Sequence, residues 1–367
     1  MKEPLAESFS SCVLLINPTR YPKYVKILKK IVKKTNIPLV IESKNKEHFI
    51  EAVEDFYNSE LKHLIVWGGD GTAHLAINAL MKSRSKFPER GNKAIGFLRG
   101  GSGNGIQDSY EVPITIRNQL KVYGESLKNN YTQSVDLLKL RYGGEEIYGQ
   151  LVGVGFDSYV LKRREMRKIK RGKNKHQIKS GLFNYMVSVL ITYLKDYDNI
   201  YKDFIVELYN GKYAFRGTRV NAEFPVEYFK REVHCPMIEL GTRPYYGKMF
   251  KICPDVVCND GYMDVYLFNL SDKLSIVTNL PYLWNGWHHR INKKFAKRKK
   301  PIIERYEVKK AKIISSIPFF YHIDGELMEA EQDDNDQYSI TLEVAPEAIS
   351  FIVPGTFYRK FHPFDGI

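Results

Sequence analysis

The chain is poor in cysteine. Its 367 residues contain four, Cys12, Cys235, Cys253 and Cys258. Their spacing gives neither a zinc pattern nor a disulfide framework. They are expected to be reduced thiols buried as small apolar residues, in a cytoplasmic compartment. Long apolar runs are also missing. The longest, Leu182 to Leu194, is broken by Asn184, Ser188 and Thr192. A bilayer-spanning helix needs about 20 apolar residues, so this segment is not one. Met1 to Ser11 carries Glu3 and Glu7 and no basic n-region, and Val13–Ile16 is too short for a signal core. No Gly-Lys-Ser/Thr follows any glycine loop, which excludes a P-loop. No His-Arg-Asp or Asp-Phe-Gly set occurs, which excludes a protein-kinase site. Acids are scarce: 42 against 56 Lys and Arg, a net charge of +14. Such an imbalance points to an anionic partner: nucleic acid, a membrane surface or a phosphorylated substrate.

What is present begins with Leu64-Ile65-Val66-Trp67-Gly68-Gly69-Asp70-Gly71-Thr72. An apolar strand runs into a glycine turn that holds one carboxylate, and helix-compatible residues follow from Ala73 to Met81. Glycines between a strand and a helix start let backbone N–H groups approach an anion. Thr72 is expected to cap that helix. The first third alternates strand and helix. Cys12–Ile16, Pro38–Ile41, His63–Trp67 and Ala94–Leu98 read as strands. Tyr24–Lys33 and Glu47–Phe56 read as helices. The pattern predicts an α/β domain with a parallel sheet covered on both faces. Ligands of such sheets bind beyond the carboxyl ends of the strands. Three polar loops fall there: Asn17-Pro18-Thr19, Gly68–Thr72 and Gly100–Asn104.

From about Tyr131 the pattern becomes antiparallel. Val135–Tyr142 and Ile147–Val154 flank Gly143-Gly144. Phe204–Leu208 and Tyr213–Val220 flank Asn210-Gly211, read as a hairpin turn. Strands return at Met263–Phe268, Ala311–Ile314 and Tyr338–Val344, with a solvated loop over Glu331–Gln337. The domains are expected at 8–130 and 131–360, the second with a helical basic insertion over 160–195.

Several spaced elements together resemble the diacylglycerol kinase catalytic family, which includes sphingosine kinases and bacterial lipid kinases. Asn17-Pro18-Thr19 resembles its first nucleotide loop, and Gly68–Thr72 with Asn78 its signature. Gly101-Ser102-Gly103-Asn104 resembles its Gly-Thr/Ser-x-Asn loop. Gly153–Asp157 resembles Gly-x-Gly-Phe-Asp, Asp260–Asp264 resembles Asp-Gly-x-x-Asp, and Asp324-Gly325-Glu326 resembles its late Asp-Gly-Glu. The likeness runs from about Cys12 to Val353. It implies a Rossmann-like N-terminal sheet of the NAD kinase/diacylglycerol kinase kind, followed by a β-sandwich lipid domain.

By that resemblance, ATP is held by Asn17, Pro18, Thr19, Ser43, Gly68, Gly69, Asp70, Gly71, Thr72, Gly101, Ser102 and Asn104. Ser43 enters because its spacing before Asp70 matches a family hydroxyl. The resemblance gives Glu326 the role of base, with Asp324 beside it. Asp70 is the rival base, or an organiser of metal and phosphate. Asp260 would ligate Mg²⁺ with backbone oxygens of Val257 and Tyr262. One carboxylate plus carbonyls suits that hard cation. Taken alone, Asp260 and Asp264 read as a hairpin around Gly261. Departures are Arg20-Tyr21 where Ser-Gly is usual, Leu75 where Glu is usual and Gly105 where Asp is common.

The function expected is ATP-dependent phosphorylation of a lipid hydroxyl, diacylglycerol first and a sphingoid base second. Two rivals stand beside it. NAD kinases share Gly-Gly-Asp-Gly-Thr but lack the late Asp-Gly-Glu. A non-catalytic nucleotide-binding membrane adaptor would suit Leu75 and Gly105. Lys162–Lys179 holds ten Lys or Arg and one acid, and Lys293–Lys300 a second cluster. With aromatic neighbours they point to an anionic membrane surface. The partners expected are a lipid, that surface and a second copy of the chain, with no specific nucleic acid. Localisation would be cytoplasmic and peripheral to a membrane. The His288-His289 pair reads as surface or hydrogen-bonded.

Overall fold

The computed structural model describes residues 7–19, 21–91, 93–171, 202–217, 221–247, 249–270, 273–297 and 302–363, and positions 189, 191–193, 195 and 200. The chain forms two compact units, Met1–Leu137 with Pro346–Ile367, and Leu138–Ala345.

The first unit is the expected α/β layer structure. Strands β1 (Cys12–Ile16), β2 (Leu39–Glu42), β3 (His63–Gly68) and β4 (Ala94–Arg99) pair in parallel in the order β2-β1-β3-β4. Leu15 sits opposite Ile41 on one side and Val66 on the other. Strands buried on both faces read as continuous apolar runs, which is why Cys12–Ile16 and Leu64–Trp67 were legible. Helices α1 (Pro22–Val32), α2 (Lys46–Asn58), α3 (Asp70–Lys86), α4 (Gly105–Ser109) and α5 (Ile116–Lys128) follow in chain order. α2 starts where Asn45 accepts a hydrogen bond from the His48 N–H, a side-chain cap. Leu14, Ile16, Ile65, Trp67, Leu98, Leu120 and Tyr123 form its core.

The C-terminal segment, Pro346–Ile367, belongs to this unit, whereas its sequence pattern places residues through 360 in the second domain. Its strand end pairs in parallel with β4, Ser350 opposite Ala94. The Ser126 hydroxyl donates to the Val353 carbonyl at 2.7 Å. Such pairing joins residues far apart in sequence, which no local pattern announces.

The second unit is mainly antiparallel. Its strands include β6 (Glu145–Gly149), β7 (Leu151–Gly155), β8 (Lys202–Arg216), β9 (Asn221–Cys235), β10 (Met237–Gly241), β13 (Met263–Phe268), β14 (Ile303–Ser315), β15 (Phe320–Ile323) and β16 (Glu326–Glu329). Between them lie the short β11 (Tyr245–Gly247) and β12 (Phe250–Lys251). Strands β5 (Thr132–Tyr142) and β18 (Tyr338–Ile352) carry the chain between units, with β17 (Glu331–Gln332) before the latter. Neighbours run β16-β15-β7-β10-β13-β14. Val152, Val154, Ile238, Leu240, Val265, Leu267, Val308 and Ile323 build one core.

The Asn210-Gly211 turn is not there. β8 runs straight through it, with Gly211 opposite Val226 of β9 and Val308 of β14. A Cβ at Gly211 would lie 1.9 Å from the Glu307 carbonyl oxygen. The glycine admits a neighbouring backbone rather than a reversal. None of the four cysteines is in a disulfide, and all four are buried. No helix among the described residues is long and apolar enough to cross a membrane.

Candidate active site

In the order β2-β1-β3-β4, chain connections diverge between β1 and β3, where open α/β sheets form a binding crevice. Asn17 and Thr72 meet there. The Asn17 N–H donates to the Trp67 carbonyl at 3.0 Å, and Asn17 Nδ2 donates to Thr72 Oγ1 at 3.0 Å. Thr19 folds back on Asn17 Oδ1 through both its N–H and its hydroxyl, while Pro18 is half-buried between them. Ser43 is buried, and its N–H and hydroxyl both reach the Ile16 carbonyl, at 2.9 and 3.3 Å. The first loop is therefore tied to the strand ends on either side.

Thr72 does not cap the helix. α3 starts earlier, with Gly69 at the capping position and no side chain bonded there. Thr72 lies inside the first turn, its N–H on the Gly69 carbonyl at 3.0 Å. Its hydroxyl is spent on Asn17. The positive end of α3 still faces the crevice, beside exposed Gly71.

Glycines let the second and third loops touch backbone to backbone. A Cβ on Gly101 would lie 2.3 Å from Gly69 Cα. One on Gly68 would strike Thr72 Cβ at 2.4 Å, and one on Gly103 the Asp70 carboxylate at 2.3 Å. Asp70 Oδ1 accepts from the Gly105 and Ile106 N–H groups at 2.6 and 3.2 Å, so it clamps the start of α4. Asn104 staples its own loop. Oδ1 accepts from the Gly101 N–H at 3.0 Å, and Nδ2 donates to the Gly101 carbonyl at 2.9 Å. Its φ of 61° is left-handed, which Asn tolerates. Ser102 is half-buried within that loop. Tyr21 has φ 55° where the family resemblance places a glycine, so a bulky residue holds a glycine conformation.

The late carboxylates lie in the second unit, on a hairpin. Ile323 pairs with Glu326 across the two-residue turn Asp324-Gly325, with φ 50° and 89°. Positive φ at both positions is the Asp-Gly hairpin conformation. The two acids have opposite surroundings. Asp324 is buried and accepts from the Gln150 and Leu151 N–H groups and from Arg243 Nη2 at 3.1 Å. Glu326 is exposed at the start of β16.

The Asp260 region also divides. Asp260 Oδ1 accepts from the Tyr262 N–H at 3.0 Å, a local Asx turn, and Val257 is exposed. Asp264 is not part of that turn. It lies buried on β13, bound by Arg305 Nε and Nη2 at 2.8 and 3.0 Å. Burial pushes its carboxyl up to about 7, against the pull of Arg305. His288 is neither surface nor hydrogen-bonded. It is buried, both ring nitrogens lack partners, and burial pushes it down to about 3.

Of the basic clusters, Lys162 lies on α6 (Phe156–Arg171) with Nζ 3.6 Å from the Phe320 ring centre. Residues 172–179, with Lys173, Lys175 and Lys179 of the first cluster, lie outside the described residues, as do 298–300 of the second. Lys293, Lys294 and Lys297 are exposed.

Comparison with known proteins follows the two units. A model of the diacylglycerol kinase catalytic domain matches residues 11–140. A model of the YegS C-terminal NAD kinase beta sandwich-like domain matches residues 164–353. The chain belongs to this diacylglycerol kinase family. No curated protein matches it significantly. A structure from Bacillus anthracis str. Sterne, provisionally assigned as a diacylglycerol kinase, aligns with TM-score 0.63 at 15% identity. It covers 95% of this chain and 98% of that one. A second from the same organism, described as a diacylglycerol kinase, aligns with TM-score 0.58 at 15% identity over the same shares. At this identity the likeness is one of fold. Family membership makes the chain kinase-like, and kinases of this family use ATP.

Several residues that shape the glycine loops of the first unit or the late hairpin of the second carry no local signal. Gln107 is buried and reaches the Gly68 and Leu98 carbonyls at 3.4 and 3.2 Å, joining the ends of β3 and β4. Arg99 pairs with Asp108 at 2.6 Å. Arg243 meets Asp324 from a loop 81 residues away. None of the three sits in a recognisable motif, and only long-range packing reveals them.

Proposed function

We propose that this chain is an ATP-dependent lipid kinase that phosphorylates a lipid hydroxyl, diacylglycerol before a sphingoid base. One observation carries the reading: Asp70, at the start of α3, joins the Gly68–Thr72 turn to the start of α4, where the Gly100–Asn104 loop ends. Glycine backbone and a helix N-terminus at a sheet's switch point suit a polyphosphate. Asn17 and Thr72 brace that cradle, and Asn104 shapes it. In this arrangement Asp70 organises the loops, since one oxygen already serves two amides.

Glu326 then takes the hydroxyl proton as the phosphoryl group transfers. A carboxylate at a hairpin start is chemically able to do so. Asp324, locked to Arg243, positions the turn that presents it. Positioning and charge neutralisation supply most of the rate. Asp260, with carbonyls of Val257 and Tyr262, is the proposed Mg²⁺ site. Its one carboxylate fits a cation that keeps most of its waters. The metal would offset phosphate charge. The exposed lysines of 293–297 and the basic run 162–179 would dock the protein on anionic lipid, each charge contributing about 1 kcal/mol.

The test uses the purified full chain with labelled ATP, Mg²⁺, a lipid panel and NAD, beside Glu326→Gln. Label in a lipid that the variant loses is expected. Label only in NAD would favour the NAD kinase reading. Vesicle binding without turnover would favour the adaptor.

A further inference from the structure

Three neighbouring strands of the second unit assemble a buried polar cluster that the proposed chemistry does not use. Glu239 of β10 and His322 of β15 both sit opposite Gly153 of β7, the strand between them. Residues paired at one register share a sheet face. The glycine between them leaves a gap. A Cβ on Gly153 would lie 2.0 Å from Asp157 Oδ2 and 2.5 Å from His322 Nε2. Asp157, in the first turn of α6, fills that gap and contacts His322 Nε2.

One carboxylate oxygen each from Asp157 and Glu239 and one ring nitrogen of His322 lie within 4.8 Å of one another. All three residues are buried. Glu239 is 1% exposed, and its Oε2 has no hydrogen-bond partner. An unpaired buried oxygen is costly, and two adjacent carboxylates repel. Arg243 is engaged by Asp324 at 3.1 Å. The cluster therefore has one buried oxygen without a partner, and two acids beside one imidazole.

We infer that Asp157, Glu239 and His322 bind one divalent cation of the zinc class. One imidazole nitrogen and two carboxylate oxygens are donors that zinc accepts at about 2.0–2.2 Å. The absence of sulfur argues against softer ions. The cation gives Glu239 Oε2 its partner. The site stands on its own residues and does not depend on the kinase reading.

The experiment strips the full chain with EDTA, adds ZnCl₂, removes free metal by gel filtration and counts zinc by mass spectrometry. The wild type is expected to keep one equivalent and to melt at a higher temperature with zinc than without. Glu239→Gln and His322→Gln are expected to lose both effects. If neither variant folds, the wild type is loaded with Co²⁺ instead. A visible d–d spectrum of a low-coordinate nitrogen–oxygen site, bleached by zinc, supports the inference. No retained metal, equal retention in folded variants, an octahedral Co²⁺ spectrum or a thiolate-to-cobalt band overturns it.

Discussion

Arg243 and Asp324 form an ion pair at 3.1 Å with side chains 1% and 0% exposed. The pair fixes the turn from which Glu326 emerges. Removing one partner leaves a buried charge uncompensated, which costs about 3–5 kcal/mol. Arg243→Met is expected to lose that much in urea unfolding. Asp324→Asn is expected to lose less, because its amide can still accept from the Gln150 and Leu151 N–H groups. The double variant removes both charges and should recover part of the loss. Strict additivity of the two single effects would show that the residues do not act as a pair.

Gly101→Ala separates loop packing from general stability. Its Cβ would lie 2.3 Å from Gly69 Cα, a backbone atom that cannot swing aside. The two glycine loops must move apart. The KM for ATP is expected to rise at least about tenfold, equivalent to about 1.4 kcal/mol. Gly91→Ala is the control. It has a positive φ of 74° but open space around it, so it costs stability without touching ATP. Equal KM values for the two variants would refute the packing account.

The legible parts of this chain are those where local pattern and fold agree. Cys12–Ile16 and Leu64–Trp67 are buried on both faces, so their apolar runs announce parallel strands. Gly68–Thr72 and Gly100–Asn104 announce loops because their glycines are spaced for close backbone approach. The same property misled at Asn210-Gly211, where the approaching backbone belongs to a neighbouring strand. Asp324 and Glu326 stand two residues apart and look equivalent in sequence. Only Arg243, distant in the chain, makes one a buried ion and leaves the other in solvent. The Asp157–Glu239–His322 cluster was invisible for a similar reason, since strand order alone unites it.

His288 makes a prediction about pH. Its ring is buried between the edges of Tyr266 and Phe268, with centroids 5.3 and 5.4 Å away, and neither nitrogen has a partner. Burial lowers its affinity for protons from the ordinary 6.5 to about 3. Between those values the unfolded chain takes up a proton that the folded one refuses. Stability contributed by this group is therefore complete above 6.5 and falls as the pH drops toward 3. Linkage puts the loss between pH 7 and pH 5 at about 2 kcal/mol. His288→Leu, of similar size and without ring nitrogens, should remove that part of the slope. Urea denaturation at both pH values measures it. A wild type and variant that lose equal stability on acidification would show that His288 is not the group responsible.

Asp70 decides between two roles, base and organiser. As an organiser it works through Oδ1, which accepts from the Gly105 and Ile106 N–H groups. Asp70→Asn keeps an oxygen able to accept both bonds, whereas Asp70→Ala removes it. Loss of such a cap costs about 1 kcal/mol, and the α4 start would loosen. The Asn variant is expected to retain at least about tenfold more kcat/KM than the Ala variant, a difference of about 1.4 kcal/mol in transition-state stabilisation. A base has no such gradation, because an amide accepts no proton at neutral pH. Equal collapse of both Asp70 variants, with activity surviving in Glu326→Gln, would move the proton-accepting role from the late hairpin to the glycine turn.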